Sequence, residues 1–344
     1  MAIKAVSLFS GGLDSILAAK IIQNLGIEVE AIFFKIGFHN GDLEYPQRKR
    51  DQQVRYTPRY YAECSGVKLH EIDLFEDFKE VLINPKRGYG GNLNPCIDCK
   101  AFMMSRAKKW MAENDFDFMI SGEVIGQRPM SQRKEVLPLV AKDAGITGLI
   151  VRPLSAKLLP ATIPEESGWI KREDLYDFNG RGRKPQMALA AELGITEYPQ
   201  PAGGCLLTEP DISRKMQDLW QSRGDKDYSK ADVMLMNAGR HIRPSPDFKL
   251  IIARENSETQ FLKRFRESHA SAVIANHSGP ITIVDGQIKS EADARLILAI
   301  TARFGKGRDC EQVNGKITFA DGSEQDYADI APIADSEIKQ EWYV

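Results

Sequence analysis

A glycine-rich turn between an apolar run and an amphipathic run limits the folds open to this chain more than any other feature. The run Ala5–Phe9 is apolar, and Leu13–Leu25 has the apolar spacing of a helix. Such a strand–loop–helix unit leaves backbone N–H groups bare at the positive end of a helix, which suits a phosphate. The turn lacks the Lys-Ser/Thr ending of a Walker loop, so γ-phosphate hydrolysis is not the first expectation. A turn that merely connects a strand to a helix is the alternative. The residues concerned are Ser10, Gly11, Gly12, Leu13, Asp14 and Ser15.

The first half of the sequence alternates short apolar runs with segments of helical periodicity. A helix is predicted from Pro95 to about Asn114. Alternation of this kind predicts an α/β fold with a mainly parallel sheet and helices on both faces. Ligands of such sheets bind at the carboxyl ends of the strands, where the glycine-rich turn lies. Besides the first, the predicted strands are Glu28–Phe34, Val67–Asp73, Phe116–Ser121 and Leu149–Leu154.

Length and composition indicate two domains. The chain has 344 residues, of which 42% are hydrophobic, enough for two buried cores. We expect residues 1–209 to form the first domain. Residues 210–344 are expected to form a linking helix and a smaller α/β domain that ends in a hairpin turning at Asp321-Gly322. The sequence after Gly305 suggests no function.

Charge and hydropathy favour a cytoplasmic protein. No apolar run approaches the roughly 18 residues of a membrane span, and the first strand follows Met1 too closely for a signal peptide. The formal net charge is −2, so no global field indicates nucleic acid. Basic residues cluster locally, for instance at 48–50 and 181–184. Such clusters suit either RNA or a solvated surface.

Three of the five cysteines form a pattern that suggests chemistry. Cys96 and Cys99 have C-x-x-C spacing at a predicted helix start, where the helix favours thiolate. Cys205 follows two glycines in a turn. A redox dithiol, a metal site and three ordinary buried thiols all remain open, although structural zinc usually takes four protein ligands. Three thiolates suit an iron–sulfur cluster with one open iron. Cys64 and Cys310 are expected to be packing residues.

The turn at residues 10–15 resembles the PP-loop of the ATP pyrophosphatase superfamily. That resemblance implies ATP held with Mg²⁺ so that an acceptor oxygen attacks the α-phosphate and pyrophosphate leaves. Residues 121–132 resemble the second motif of the tRNA 4-thiouridine synthetases. Asn94–Cys99 and Gly203-Gly204-Cys205 are similar to cysteine motifs of the wider tRNA thiolase group, which includes the 2-thiouridylases. Together the similar segments cover residues 1–208. The motif residues in the second segment are Gly122, Glu123, Gly126, Gln127, Ser131 and Gln132.

The resemblance implies an ATP-dependent tRNA uridine sulfurtransferase, with 4-thiouridine favoured over 2-thiouridine as product. Asp14 would hold Mg²⁺ or orient the loop, although it could also cap the following helix. The hydroxyls of Ser10 and Ser15 would stabilise charge on the phosphates, and Gly122, Gln127, Ser131 and Gln132 would border the nucleotide and the base. Cys96, Cys99 and Cys205 would hold a 4Fe–4S cluster, or one of them would carry a persulfide. A cysteine desulfurase or sulfide would supply the sulfur. An amide-forming ligase and a non-catalytic RNA-binding protein are the rival interpretations.

RNA contacts are expected outside the PP-loop region. The 4-thiouridine synthetases carry an RNA-binding region before the PP-loop, whereas this sequence starts at the loop. The sequence from about Asp232 onward resembles the RNA-binding domain of the NFACT family, which implies Arg240, His241 and Arg243 as contacts. Electrostatic binding of this kind weakens steeply with salt. Further candidates, for RNA or for the nucleotide, are Arg181, Arg183 and Lys184.

Overall fold

The protein is described by a computed structural model that covers residues 2–39, 42–43, 57–199 and 205–344. Its described residues form two compact units. The first holds the residues up to Thr208 apart from Leu43, and the second holds Glu209–Val344. The basic cluster at 48–50 and the two glycines before Cys205 lie outside the described residues.

The first unit is built on a five-stranded sheet with the order β3-β2-β1-β4-β5. All of its neighbouring strands run parallel, which confirms the predicted fold class. β5 is only two residues long and is shorter than the predicted run, because the chain turns away at Arg152. The strands are β1 (Lys4–Leu8), β2 (Glu28–Lys35), β3 (Lys68–Asp73), β4 (Phe118–Ser121) and β5 (Ile150–Val151).

Helices cover both faces of this sheet. Ala5 and Ile120 belong to a core that α1 and α7 close from one side, whereas the alternating residues Val6 and Met119 are equally buried outside that core. Burial on both faces explains why the strands are apolar throughout rather than alternating. The helices of this unit are α1 (Leu13–Asn24), α2 (Pro58–Cys64), α3 (Phe75–Ile83), α4 (Cys96–Glu113), α5 (Val136–Asp143), α6 (Ile163–Glu166) and α7 (Lys184–Glu192).

The strand order contains a switch point at β1. From β1 the chain first builds outward through β2 and β3, and then returns to pair β4 with the other edge of β1. Leu8 lies opposite Ser121 in the register of these two strands. The loops that follow β1 and β4 therefore leave the sheet side by side, and a crevice between such loops is where open α/β sheets bind ligands.

The second unit has a six-stranded sheet with the order β11-β10-β8-β9-β7-β6. Strands and helices alternate along the chain as expected, and every neighbouring pair is antiparallel. β10 and β11 form the predicted hairpin. The helices and strands of the second unit are α8 (Pro210–Arg223), α9 (Lys230–Met236), β6 (Arg240–Ser245), β7 (Phe248–Ile252), α10 (Asn256–Leu262), β8 (Ala270–Ile274), β9 (Thr282–Gly286), α11 (Glu291–Arg303), β10 (Val313–Thr318) and β11 (Glu324–Ile330).

α11 packs on the sheet through Ala294, Ile297 and Leu298, all fully buried. Among the residues that the structure describes in either unit, no helix combines the length and hydropathy needed to cross a bilayer.

Candidate functional site

The phosphate loop, residues Ser10–Ser15, turns sharply between β1 and α1. Gly11 has a φ of 73°, a left-handed conformation that favours glycine. A Cβ on Gly11 would lie 3.0 Å from the Cα of Pro58. Ser15 Oγ donates a hydrogen bond to the Gly12 carbonyl at 2.8 Å and lies 3.4 Å from Ser10 Oγ. Gly12 is the N-cap of α1 and provides no side-chain cap, so the start of the helix is left open to an anion.

β4 ends directly against the first turn of α1. A Cβ on Gly122 would lie 2.4 Å from the carbonyl carbon and oxygen of Asp14 and 2.5 Å from the Ser15 nitrogen. Only a residue without a side chain allows this approach. Gly122 thus joins the second sequence motif to the phosphate loop, as the switch point of the sheet requires.

Asp14 lies inside this junction rather than at the helix cap. Gln127 Nε2 donates a hydrogen bond to Asp14 Oδ2 at 2.8 Å. Burial raises the pKa of the Asp14 carboxyl, although the Gln127 hydrogen bond and the charges of Arg183 and Arg128 oppose that shift. Asp14 Oδ1 is buried without a hydrogen-bond partner among the described residues. The Gln186 side chain is also near enough to lower the pKa of this carboxyl as a hydrogen-bond donor.

The Ser155 hydroxyl brings two distant loops to this place. It accepts a hydrogen bond from the Ile125 N–H at 3.1 Å and donates one to the Phe178 carbonyl at 2.6 Å. The Gly180 N–H in turn donates to the Ile125 carbonyl at 2.7 Å. Because of these bonds, the chain that leads into α7 runs beside the loop that carries Gln127.

Several buried polar atoms around Asp14 have no hydrogen-bond partner among the described residues. More than nine tenths of buried polar groups in proteins are paired, so a group of exceptions at one place indicates a ligand site. Gln186 was not predicted from the sequence, which shows a glutamine in a helix and nothing that indicates which way it points. The unpaired atoms near Asp14 are Asp14 Oδ1, Gln127 Oε1, Arg183 Nε and both amide atoms of Gln186, and Gln132 Oε1 is a further one in the loop that follows Gln127.

The second motif also reaches the cysteines. The Gly126 N–H donates to the Gln132 carbonyl at 2.7 Å and closes the loop between them. Ser131 belongs to that loop, and its Oγ accepts a hydrogen bond from the Cys96 thiol at 3.3 Å. A continuous path of contacts therefore joins the phosphate loop to the start of α4.

Cys96, Cys99 and Cys205, here called the thiol cluster, lie close enough to influence one another electrostatically. Burial raises the pKa of the Cys99 thiol well above its usual value, and the neighbouring Cys205 and Cys96 raise it further. Burial and the nearby Cys96 and Asp42 raise the pKa of Cys205 to about 12. All three are free thiols. Across the described ranges, no set of three or more His, Cys, Asp or Glu side chains is arranged as a metal site.

Cys205 is held at the end of β2. It forms an antiparallel bridge with His39, and the N–H of the following Leu206 donates to the Phe38 carbonyl at 2.9 Å. Asp42 fixes this segment, because its Oδ2 accepts hydrogen bonds of 2.8–3.1 Å from three backbone N–H groups. This bridge brings Cys205 to the other two cysteines, which lie more than 100 positions earlier.

A buried carboxylate, Glu123, has two basic partners next to the thiol cluster. Arg152 Nε donates to Glu123 Oε2 at 2.9 Å, and Lys100 Nζ lies 3.6 Å from Glu123 Oε1. Although burial opposes ionisation, the charges of Lys100 and Arg152 hold the pKa of Glu123 below its usual value. Lys100, next to Cys99 in sequence, also favours the thiolate form of Cys99. Sequence reasoning missed Lys100 and Arg152, and the adjacency of Lys100 to the C-x-x-C motif was the available signal.

The basic residues predicted to bind RNA fall into different environments. In the first unit, Arg181 and Lys184 are exposed, whereas Arg183 is half-buried and faces Asp14. In the second unit, the Arg240 guanidinium lies over the Phe304 ring, 5.0 Å from its centroid.

His241 and Arg243 are engaged within the second unit. His241 is 3% exposed, and its Nε2 lies within 3.1 Å of the Leu235 and Ala238 carbonyls. Burial lowers the pKa of His241 well below its usual value, so the ring is neutral and enclosed. Arg243 donates two hydrogen bonds, of 2.6 and 2.9 Å, to the Asp218 carboxylate.

Two family models match this chain, one within each of its two units. Residues 1–157 match the family model described as thiamine biosynthesis protein (ThiI), and residues 239–343 match that of the NFACT protein RNA binding domain. Both resemblances stated from the sequence motifs are thereby confirmed.

Three curated proteins with different described functions are similar to parts of this chain. A probable tRNA sulfurtransferase of Alkaliphilus oremlandii is 31% identical over 156 residues, which are 44% of this chain and 36% of the relative. The tRNA-specific 2-thiouridylase MnmA of Sulfurimonas denitrificans is 30% identical over 129 residues, 36% of each chain. The 7-cyano-7-deazaguanine synthase of Sulfurovum sp. is 38% identical over 77 residues, 22% of this chain and 30% of the relative. The matched part spans about a third of each relative. The chain thus joins a region similar to the ThiI family to a region similar to the NFACT RNA-binding domain.

Proposed function

We propose that the protein is an ATP-dependent tRNA uridine sulfurtransferase that acts in the cytoplasm. The observation that carries this proposal is the path of contacts from the phosphate loop through Asp14 and Gln127 to Ser131 and Cys96. It joins a phosphate-binding element to a group of three thiols, and both reactants of a thiolation must meet at such a place. The similarity of residues 1–157 to the ThiI family and of residues 239–343 to an RNA-binding domain supports the same substrate class.

The first step activates a carbonyl oxygen of uridine. That oxygen attacks the α-phosphorus of ATP, the bond to the bridging oxygen breaks, and pyrophosphate leaves. The open start of α1 and the Ser10 and Ser15 hydroxyls stabilise the charge that develops on the leaving phosphates. Asp14 would hold Mg²⁺ on the phosphates through its unpaired oxygen, because magnesium is commonly held by one or two carboxylates together with phosphates.

The second step replaces AMP by sulfur. A sulfur nucleophile attacks the activated ring carbon, the carbon–oxygen bond to AMP breaks, and a thiocarbonyl forms. Lys100 favours the thiolate form at Cys99, and the Cys96 thiol is positioned by Ser131. We favour 4-thiouridine as the product because residues 121–132 carry the Gly-Glu, Gly-Gln and Ser-Gln pairs of the 4-thiouridine synthetases.

The thiol cluster has the number and type of donors that a three-cysteine 4Fe–4S centre needs. Cys96, Cys99 and Cys205 would hold it, and when bound such a centre supplies an open iron position for sulfur. Burial and mutual repulsion disfavour three thiolates without a cation, and a positively charged iron centre relieves both effects. In the alternative version, one cysteine carries a persulfide, gives up its outer sulfur and forms a disulfide with a second cysteine. That version needs a dithiol reductant after each turnover.

A deletion strain and purified variants test the proposal. Nucleoside mass spectrometry of tRNA from the strain should show the loss of one thiolated uridine. Purified protein should release AMP and pyrophosphate only with that tRNA. Replacing Cys96, Cys99 or Cys205 by serine should abolish thiolation, whereas Cys64→Ser and Cys310→Ser serve as matched controls that keep it. A strain with every thiolated nucleoside intact contradicts the proposal, and a colourless, fully active protein purified without oxygen excludes the cluster.

One other reaction class has a specific observation in its favour. The similarity to a 7-cyano-7-deazaguanine synthase covers 77 residues, 22% of this chain, and an amide-forming ligase acting on a small molecule would use the same phosphate loop. Such an enzyme would form AMP without RNA and would keep its activity in the three serine variants. A non-catalytic RNA-binding protein would bind ATP and tRNA and release no pyrophosphate.

A further inference from the structure

Gln186 is a buried amide with no apparent structural task. It lies in the first turn of α7, is 1% exposed, and has no hydrogen-bond partner for Oε1 or Nε2 among the described residues. Leaving a buried amide unpaired is costly in an apolar environment. A leucine of similar size would avoid that cost at this helical position. The side chain is therefore better explained by a molecule that it binds than by the fold.

The position of Gln186 directs it into the candidate site. Gln186 lies beside Asp14, and its amide interacts weakly with the carboxyl as a hydrogen-bond donor that lowers the pKa of Asp14, without the geometry of a full hydrogen bond. Arg183, one turn earlier, also acts on Asp14 and has a buried Nε without a partner among the described residues. Gln127, whose Nε2 donates to the same carboxylate, has an unpaired Oε1 among the described residues. A donor–acceptor pair, a cation and a second acceptor thus converge next to the phosphate loop.

The chemistry of the amide selects the kind of molecule. A glutamine side chain offers one acceptor and one donor in a plane, which matches the edge of a nucleobase that has a donor beside an acceptor. The N3–H of uracil and its neighbouring carbonyl oxygen form such an edge. The target oxygen must touch the α-phosphorus, so the target base comes to the phosphate loop, whereas the adenine of ATP is separated from that phosphorus by the ribose.

We propose that Gln186 recognises the hydrogen-bonding edge of the target pyrimidine and that Arg183 lies beside it to stabilise negative charge on the α-phosphate that the uridine oxygen attacks. This inference rests on the proposed function and names the residue that orients its substrate. It moves Arg183 from the candidate RNA contacts into the reaction site, while the exposed Arg181 and Lys184 stay available to the RNA backbone.

The variant Gln186→Leu separates this role from a structural one. Because leucine removes an unpaired polar group, the melting temperature should stay the same or rise by a few degrees. The affinity for a non-hydrolysable ATP analogue, measured by calorimetry, should change less than twofold. The kcat/KM for thiolation of tRNA from the deletion strain should fall about 10- to 100-fold, the range expected for losing a bidentate contact to a base. Gln23→Leu, on α1 in the same unit, is the control and should leave the ATP-analogue affinity and the thiolation rate unchanged.

Three outcomes overturn the inference. Unchanged thiolation by Gln186→Leu removes it directly. An equal loss of affinity for the ATP analogue assigns Gln186 to the nucleotide, and a large fall in melting temperature assigns it to the fold. The unaltered protein reports on the proposed function separately: if it thiolates no tRNA, the proposed function and this inference both fail, whereas the other outcomes leave the proposed function intact.

Discussion

Cys205 has surroundings that keep its thiol neutral. It is largely enclosed at the end of β2, and burial with the nearby Cys96 and Asp42 raises its pKa to about 12. A neutral thiol is a weak nucleophile and a weak metal ligand, because both roles require thiolate. The resting state of the site therefore protects this cysteine until a cation or a bound substrate changes its environment.

The alkylation rate of Cys205 should show this directly. In reduced, metal-free protein the thiolate fraction is small at pH 7.5, and it should rise about tenfold for each pH unit up to pH 9.5 because the pKa lies above that range. Iodoacetamide labelling of the Cys205 peptide, followed by mass spectrometry, measures the rate. Limited access lowers every rate by the same factor and leaves the slope unchanged.

A rate that levels off between pH 8 and 9 would contradict the raised pKa of Cys205. The variant Cys96→Ser provides the comparison, since it removes one repelling neighbour and should increase the rate at a given pH. The shift also has a consequence for stability. The thiols of the unfolded chain ionise near pH 9 while Cys205 in the fold does not, so its contribution to folding is complete below pH 9 and is lost as the pH rises toward 12.

Residue types and spacing indicate the candidate reactive groups more readily than the residues that surround them. Glycines, serines and an aspartate in a fixed order identify a phosphate loop, and C-x-x-C spacing identifies paired thiols. Arg152, Ser155 and Gln186 carry no such pattern, because a buried arginine or glutamine looks in sequence like any surface residue. His241 shows the converse: a histidine among basic residues resembled an RNA contact, and the fold encloses it between two carbonyls.

At the scale of elements, the contact between the end of β4 and the first turn of α1 holds the site together. The variant Gly122→Ala should disrupt it, because the new Cβ would meet backbone atoms of Asp14 and Ser15 at 2.4–2.5 Å. Backbone cannot yield as a flexible side chain can, so we expect a loss of about 1–3 kcal/mol or more in the free energy of unfolding. Affinity for an ATP analogue should fall with it. Thermal unfolding and calorimetric titration measure the two effects.

Gly182→Ala is the matched control for that variant. Gly182 is exposed, lacks a left-handed backbone, and has no neighbouring atom within 4 Å of the position that an added Cβ would take. Its replacement should leave stability and ATP binding unchanged. If Gly122→Ala behaves like this control, β4 and α1 are not packed as described.

Element prediction succeeded where one periodicity was strong. β1, β2, β3, α1 and α4 were all predicted within a residue or two of their observed bounds. α5 was missed because Pro138 suggests a break, although proline is tolerated in the first turn of a helix. β6 was missed because Arg240, Arg243 and Pro244 are unusual in a strand, and its place at the edge of the sheet makes them acceptable.

At the scale of the whole molecule, the two units have separate hydrophobic cores. We therefore expect two thermal transitions in calorimetry rather than one. An ATP analogue at about 100 times its Kd should stabilise only one of them, by about 2.7 kcal/mol, and a short RNA without uridine mainly the other. Core variants assign the transitions: Ile120→Ala should lower the first and Leu298→Ala the second, each by about 2–5 kcal/mol. A single transition raised by both ligands would contradict separate units.

The sequence was least informative about how the chain would handle RNA. A net charge of −2 conceals local clusters, and two of the three arginines and histidines chosen in the second unit turn out to be engaged within it. Charge patterns reveal where cations are in the sequence, whereas only the fold determines which of them already have a carboxylate partner. Arg243, paired with Asp218, is the clearest case.

The unpaired amide and carboxylate atoms around Asp14 lower the stability of the fold unless a bound molecule completes their hydrogen bonds. Substrates that complete those hydrogen bonds would stabilise the fold in addition to reacting. Under the proposed function, a shortage of ATP or of unmodified tRNA would leave more of the protein unliganded, and this form would open and be degraded sooner.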